Sequence, residues 1–341
     1  MGAKRFNRPF FDHNQPERIG VVVANLGTPD APTAPAVRTY LGQFLHDWRV
    51  IEISRWLWCP LLHGIILRTR PKKVAAIYQA IWTEEGSPLL VITRKQAEGL
   101  KTRLQAHFPQ VEVAVAMRYG NPSMQAALEE LRAKNCQKIL VLPMYPQYSC
   151  ATSASTLDSV FSELKHWRWM PELRTINDYS THEGYIQALA NSVVEARAHY
   201  EMPEKLVISF HGTPVSFRDQ GDPYYYRCKA TAHALATALD LKEEQWILTF
   251  QSQFGNDPWI KPSTSDTLES LAKSGVKSVD VICPGFSADC IETLEEIEDE
   301  NREIFEENGG EAFHYVPALN DRDDHLDALN ALVTQHLGGW V

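Results

Sequence analysis

Short apolar runs rich in Val and Ile recur along the chain, at Ile19–Ala24, Val111–Met117, Lys138–Met144, Lys205–Phe210, Trp246–Phe250 and Val279–Ile282. Each has the length of a single strand. Longer amphipathic stretches lie between them, at Lys72–Trp82, Arg94–His107, Ser123–Lys134, Tyr185–His199 and Glu292–Glu307. Continuous apolar strands separated by helices predict parallel strands covered on both faces. The expected class is therefore α/β, doubly wound.

The pattern also repeats. Val22-Val23-Ala24-Asn25-Leu26-Gly27-Thr28-Pro29 matches Val207-Ile208-Ser209-Phe210-His211-Gly212-Thr213-Pro214, each a strand running into a Gly-Thr-Pro turn. Leu128-Glu129-Glu130-Leu131, followed by Lys138, matches Leu268-Glu269-Ser270-Leu271, followed by Lys277. Arg118-Tyr119-Gly120-Asn121 resembles Gln253-Phe254-Gly255-Asn256. Three matches in one order predict two similar Rossmann-like lobes with a cleft between them. The length of 341 residues agrees, at roughly 150 residues per domain. The expected organisation is an N-terminal arm (1–17), a first lobe (18–150), a second lobe (151–322) and a C-terminal helix (323–341) packing back on the first lobe.

The first half carries about 45 extra residues after its first strand, a lip-like insertion at about 40–88. It holds Trp48, Trp56, Trp58 and the apolar run Trp56–Leu67, with Arg68, Arg70, Lys72 and Lys73 close behind. An insertion at the C-terminal end of a strand lies at the ligand-binding edge of such a sheet. Two readings stand: a greasy surface beside a basic rim, able to touch a membrane, or a buried helical hairpin. The apolar run is too short to cross a bilayer.

Composition narrows the class. Apolar residues make up 44% and charged residues 22%, the balance of a chain that buries large cores. Acidic residues outnumber basic ones 43 to 33, for a net charge of −10, which argues against a nucleic-acid partner. The six Cys form no C-x-x-C pair, so neither a zinc ribbon nor a disulfide scaffold is indicated. No apolar signal segment occurs in the first twenty residues. A cytoplasmic protein, peripheral to a membrane through its insertion, is expected. G-x-G-x-x-G after a strand, G-x-x-x-x-G-K-[ST] and G-x-S-x-G are all missing.

Candidate chemistry sits at two places. His211 ends a predicted strand, where residues face the ligand crevice; the first half has Leu26 at the matching position. The alternative is a histidine simply hydrogen-bonded in a tight turn. The second place is the acidic stretch 291–300, where Glu292, Glu296 and Glu300 share one face of an α-helix. A row of carboxylates suits a cation. The alternatives are a solvated face and a capping box, Asp289-x-x-Glu292, in which Glu292 reaches back to the Asp289 N–H.

Six strings, Asn25-Leu26-Gly27-Thr28-Pro29, Glu85-Gly86-Ser87-Pro88-Leu89, Tyr145-Pro146-Gln147-Tyr148-Ser149, Ser209 to Pro214, Gly221-Asp222-Pro223-Tyr224 and Ile291-Glu292-Thr293-Leu294, occur in an order that resembles ferrochelatases. The resemblance runs from about residue 18 to 325. It implies a two-lobed chelatase-like fold, a lyase, and insertion of Fe2+ into protoporphyrin IX to give protoheme, the final step of heme biosynthesis. It implies His211 and Glu292 as the catalytic pair and metal ligands, with Glu296 and Glu300 on an acidic metal path. It implies porphyrin contacts at Leu26, Tyr78, Ser87, Pro88, Arg118 and Tyr148. Animal-type members carry a C-terminal cysteine cluster for an iron–sulfur centre; this chain has no Cys after Cys290, so neither that centre nor any other tightly bound cofactor is expected. Position 26 is Leu, which supplies no axial ligand. A monomer is expected.

The chemistry fits these residue types. Metal insertion removes two pyrrole protons and strips water from a cation. A neutral imidazole can accept a proton near neutral pH and ligate iron. Two rivals stay open: a related chelatase for coproporphyrin or cobalt, and a carrier that binds porphyrin without chemistry.

Overall fold

The computed structural model describes residues 14–254 and 257–341. Most of the expected N-terminal arm, residues 1–13, and the Gly255-Asn256 of the third repeat match lie outside the described residues. The chain forms two compact units, one of residues 14–144, 150–177 and 329–341, the other of 145–149 and 178–328.

The first unit opens with strand β1 (Arg18–Thr28), whose five residues Gly20–Ala24 are all buried. Helices α1 (Ala34–Phe44), α2 (Arg55–Leu61), α3 (Leu67–Ile81) and α4 (Pro88–Gln105) follow before strand β2 (Val111–Gly120). Then come α5 (Met124–Ala133), β3 (Cys136–Pro143), α6 (Ser155–Leu164) and β4 (Glu172–Thr175). All pairings are parallel, in the order β2-β1-β3-β4. Val22, Ala24, Ala114 and Val141 of the sheet pack with Leu128, Leu131, Val160 and Leu164 of the helices. Each such buried leucine contributes roughly 2 kcal/mol of apolar transfer.

The second unit runs through α7 (Glu183–Arg197), β5 (Lys205–His211), α8 (Val215–Asp219), α9 (Tyr224–Ala238), β6 (Trp246–Gln251), α10 (Thr264–Lys273), β7 (Ser278–Ile282), α11 (Ile291–Leu294), α12 (Arg302–Glu307) and β8 (Ala312–Val316). Its sheet is again parallel, in the order β6-β5-β7-β8, the order of the first sheet shifted by four strands. The last helix, α13 (Asp323–Leu337), begins in the second unit and ends in the first.

The two sheets share detail as well as order. The backbone N–H of Met117 in β2 donates to Pro122 O at 2.7 Å, and that of Phe250 in β6 to Pro262 O at 2.9 Å. In each unit the next residue, Ser123 or Ser263, caps a helix by accepting from the N–H three residues on, at 3.2 and 3.3 Å. The leucine five residues past each cap, Leu128 or Leu268, is fully buried. Asn121-Pro122-Ser123 thus has its structural counterpart in Lys261-Pro262-Ser263. That strand-to-helix turn is longer in the second unit, and the glycine-based match chosen from sequence falls short of it.

The six predicted strands all form. The two missed, β4 and β8, are short strands at the edge of a sheet. Such strands carry little hydrophobic signal.

The insertion has both a buried core and an exposed apolar face. Leu45, Ile51, Trp58, Leu62 and Leu67 form a separate small core under α2, a π-turn (Leu62–Ile66) and the start of α3. The Trp58 indole donates to Leu45 O at 2.7 Å. Trp56 is 91% exposed and Leu57 73%, with Leu61 and Ile65 exposed beside them. Arg68, Arg70, Lys72 and Lys73 are exposed on the next turns. No described helix is long and apolar enough to cross a membrane.

Candidate active site

Strand β5 is buried from Leu206 to Phe210 and delivers His211, partly exposed, at its end. The next residue must be small. A Cβ on Gly212 would stand 2.7 Å from Gln251 O and 3.1 Å from the Trp259 ring. That close approach lets the Gly212 N–H donate to Gln251 O at 2.7 Å. It also puts His211 Nδ1 2.7 Å from Gly212 O. A carbonyl can only accept, so Nδ1 holds the proton in the neutral ring and Nε2 presents a lone pair. The tight-turn hydrogen bond and the reactive role are thus compatible: the bond to the turn sets the tautomer.

His211 pairs across the sheet with Gln251, the last residue of β6. Gln251 Oε1 accepts from Ser209 Oγ at 2.9 Å, fixing the amide orientation. Its Nε2 then donates to the Glu292 carbonyl at 2.8 Å and, at 3.3 Å, to Glu296 Oε2. Ser252 follows at a left-handed φ of 62°. Its N–H donates to Glu296 Oε1 at 2.6 Å and its hydroxyl donates to Oε2. One amide and one serine therefore tie the strand end bearing His211 to the start of the acidic segment. Neither was identified from sequence. The only available signal was position, since both lie just past a predicted apolar strand.

The acidic segment is not the single α-helix that the pattern suggests. Four residues of α11 lead into a π-turn (Glu296–Asn301) before α12 resumes. The Glu300 N–H donates to Glu295 O at 2.9 Å, an i to i+5 bond. The Asn301 side-chain amide caps Glu296 O at 2.6 Å. The even i, i+4, i+8 row from Glu292 to Glu300 is therefore interrupted, because a π-turn holds one more residue than an α-turn. Glu295 now feels its neighbours: burial first, then the charges of Glu300, Glu296, Asp299 and Glu292, push its carboxyl up to about 7.

The expected capping box is different too. Cys290 and Thr293 form it, with the Cys290 N–H donating to Thr293 Oγ1 at 3.0 Å. The Asp289 N–H goes to Asn320 Oδ1 at 2.9 Å, and its carboxylate accepts from Thr293, Tyr315, Ala318 and Asn320. Glu292 is not used as a cap. Its carboxylate lies beside the Cys290 thiol, which burial and that charge push well above the usual range.

The remaining predicted residues divide between the units. Leu26, half-buried, precedes Gly27, where a Cβ would fall 1.8 Å from Tyr119 O. The Thr28 hydroxyl donates to Ser87 Oγ at 2.8 Å, joining the end of β1 to Ser87 and Pro88 at the start of α4. Tyr78 is buried on α3, its ring edge-on to Trp82. Arg118 is engaged with Asp47 of the insertion, and its Nε donates to Ser155 Oγ at 2.6 Å. Tyr119 OH and Ser155 Oγ also donate to Asp47, at 2.8 and 2.6 Å. Burial pushes the Asp47 carboxyl up, but bonds from Ser155, the Arg49 N–H and Tyr119, with the Arg118 charge, outweigh it and hold it below its ordinary value. Tyr148 lies in the second unit, its N–H on Asp178 at 3.2 Å. Among the described residues, no three His, Cys, Asp and Glu side chains close around a point as a ready-made metal cage.

Two similar parallel sheets, with a histidine at one strand end and the neighbouring strand end tied through Gln251 and Ser252 to an acidic segment, define a chelatase-like fold. The fold agrees: SirB of Bacillus subtilis, solved with Fe3+, matches with a TM-score of 0.56 at 9% identity, over 94% of this chain and 96% of that one. Sequence carries the likeness further. The ferrochelatase family model matches residues 18–337. The ferrochelatase of Hydrogenovibrio crunogenus is 51% identical over 339 residues, 98% of this chain and 90% of its own. That of Thioalkalivibrio sulfidiphilus is 53% identical over 331 residues, covering 97% and 90%. The chain belongs to the ferrochelatase family, lyases that insert iron into protoporphyrin in heme biosynthesis.

Proposed function

We propose that His211 and Glu292 carry the insertion of Fe2+ into protoporphyrin IX. The observation that supports this most is the 2.7 Å contact of His211 Nδ1 with Gly212 O at the strand end, which favours the tautomer with its lone pair on Nε2. Fe2+ enters the ring as the two pyrrole nitrogens each lose a proton. In this reading the Nε2 lone pair first ligates the arriving iron and, once the ion has passed to the ring nitrogens, takes up one pyrrole proton, while the Glu292 carboxylate takes the other. Glu292 is its partner, and Glu296 and Glu300 guide the cation. Glu295, with its carboxyl near 7, is suited to carry protons away at neutral pH. Leu26, Tyr78, Ser87, Pro88, Arg118 and Tyr148 contact the porphyrin.

The exposed Trp56, Leu57, Leu61 and Ile65, with the cationic turns after them, are proposed to rest on an anionic membrane face, from which a poorly soluble macrocycle is drawn. The free state of all six cysteines supports a reducing, cytoplasmic setting.

The test is absorbance. Protein, protoporphyrin and Fe2+ are mixed without air, and metalloporphyrin bands are followed. His211→Ala should lower kcat by at least about 100-fold with porphyrin affinity changed only a few-fold. Normal turnover in that variant overturns the assignment. Saturable binding without turnover by the intact protein favours a carrier, and faster turnover of coproporphyrin reassigns the substrate.

A further inference from the structure

Helix α11, which carries Glu292, has only four residues before the π-turn begins. A helix that short is not stable by itself, so its place is set by the side chains around it. Asp289, buried just before the cap residue Cys290, accepts on Oδ1 from the Thr293 hydroxyl at 3.0 Å, the Tyr315 hydroxyl at 2.6 Å and the Ala318 N–H at 3.2 Å. Thr293 is the residue after Glu292. Asp289 therefore holds the turn of helix on which Glu292 stands.

Asn320 holds Asp289 in turn, at two points. Its Nδ2 donates to Asp289 Oδ2 at 2.6 Å, and its Oδ1 accepts from the Asp289 N–H at 2.9 Å. Oδ1 meets an N–H and Nδ2 meets a carboxylate, so the amide fits in one orientation only. Asn320 has a left-handed φ of 45°, a conformation that asparagine adopts more readily than most residues. Its carbonyl is held as well. His325, fully buried in the first turn of α13, has Nδ1 2.8 Å from Asn320 O, a contact that favours the tautomer with the proton on Nδ1. Its Nε2 is buried without a hydrogen-bond partner. Burial first, with the Arg322 charge, outweighs the bond to Asn320 and the charge of Asp324 and pushes the imidazole down to about 4, so the ring is neutral at ordinary pH. A bare, buried lone pair costs stability that a leucine in the same place would not. The bond to Asn320 is what a histidine supplies there and a leucine cannot.

We propose that Asn320, held by His325, is a positioning residue for iron delivery: through Asp289 it sets where α11 starts, and so where Glu292 presents its carboxylate. This rests on the reading that Glu292 handles the iron. Asn320 acts through Asp289, so its loss is felt in the use of iron and not in the use of porphyrin.

Initial rates of metalloporphyrin formation, taken well below each variant's melting temperature, test this. Asn320→Gly keeps the left-handed backbone and removes the amide. It should raise KM for Fe2+ about 10-fold, the lower end of what an outer partner of a metal ligand contributes, with KM for porphyrin changed less than about two-fold. His325→Leu should also raise KM for Fe2+. His325→Asn, which keeps an N–H donor near the place of Nδ1, should restore most of that loss. Glu292→Gln is the reference. In that background Asn320→Gly should add no further rise in KM for Fe2+, because both changes act on one carboxylate. An unchanged KM for Fe2+, equal rises in both KM values, or an additive effect in the Glu292→Gln background overturns the proposal and leaves the reading of Glu292 standing. Unchanged iron kinetics in Glu292→Gln itself overturn that reading, and this inference with it. Should Asn320→Gly fail to fold, the contrast between His325→Leu and His325→Asn decides.

Discussion

At Glu295, burial and four neighbouring carboxylates raise the carboxyl to about 7, against 4.5 in a free chain. The folded protein therefore holds this proton more tightly than the unfolded chain does. Raising the pH through the window from 4.5 to 7 costs stability, and the full penalty stands above it. Removing the charge should recover part of that. Glu295→Gln should raise Tm by roughly 1–2 °C at pH 8, the small effect expected of a half-exposed group. At pH 3 the charge has no such effect, because Glu295 is protonated in both states there, so any shift that remains is not electrostatic. Melting curves at the two pH values check this, and an equal shift at both would show that charge is not the cause. Residue-scale reading of the sequence singles out His211 from a strand end inside a repeated string, and Glu292 from an acidic run. It missed Gln251, Ser252 and Asp47. Their contribution is a hydrogen bond to something remote in sequence, and no local pattern encodes that.

The elements were legible where their hydrophobic period was long and regular, as in α5 with Leu128 and Leu131 or in the buried run of β5. Periodicity failed where the backbone departed from a standard repeat. The π-turn after Glu295 keeps the composition of a helix and changes only which carboxylates face one another. The insertion shows a different limit. Trp56 and Trp58 are two residues apart, so they point to different sides of α2, yet composition gives both the same value. Only packing against Leu45 and Leu62 makes Trp58 a core residue and leaves Trp56 in solvent. Replacing both exposed residues in a Trp56→Asp, Leu57→Asp variant should therefore leave folding intact. It should lower binding to vesicles containing phosphatidylserine at least several-fold, since each charged residue also replaces buried apolar area. Cosedimentation measures this, and undiminished binding would assign the patch to something other than lipid.

For the whole molecule, the accessible thiols give a simple measure of how much of the chain is sealed. Cys136, Cys228, Cys283 and Cys290 are buried, whereas Cys59 and Cys150 are partly exposed. A disulfide reagent such as DTNB should react quickly with about two thiols in the native protein and with all six in guanidinium. Four or more fast thiols would mean that at least two of the buried sites at Cys136, Cys228, Cys283 and Cys290 open readily. The α/β class and the duplication were legible from sequence because both rest on repeated strings. The correct partner of Asn121-Pro122-Ser123 was not, because the longer turn in the second unit displaces it. With the two sheets now in matching order, the chain contains its own blank. Leu26 and, one residue past the pair Asn25–Met117, Arg118 stand where the second sheet has His211 and Gln251. Subtracting the first strand end from the second cancels the glycine approach and the serine-capped helix, which are scaffold. An imidazole and, on the neighbouring strand, the amide bonded to the acidic segment remain, and grafting that remainder onto the first sheet is the most direct way to ask how little a chelating centre needs.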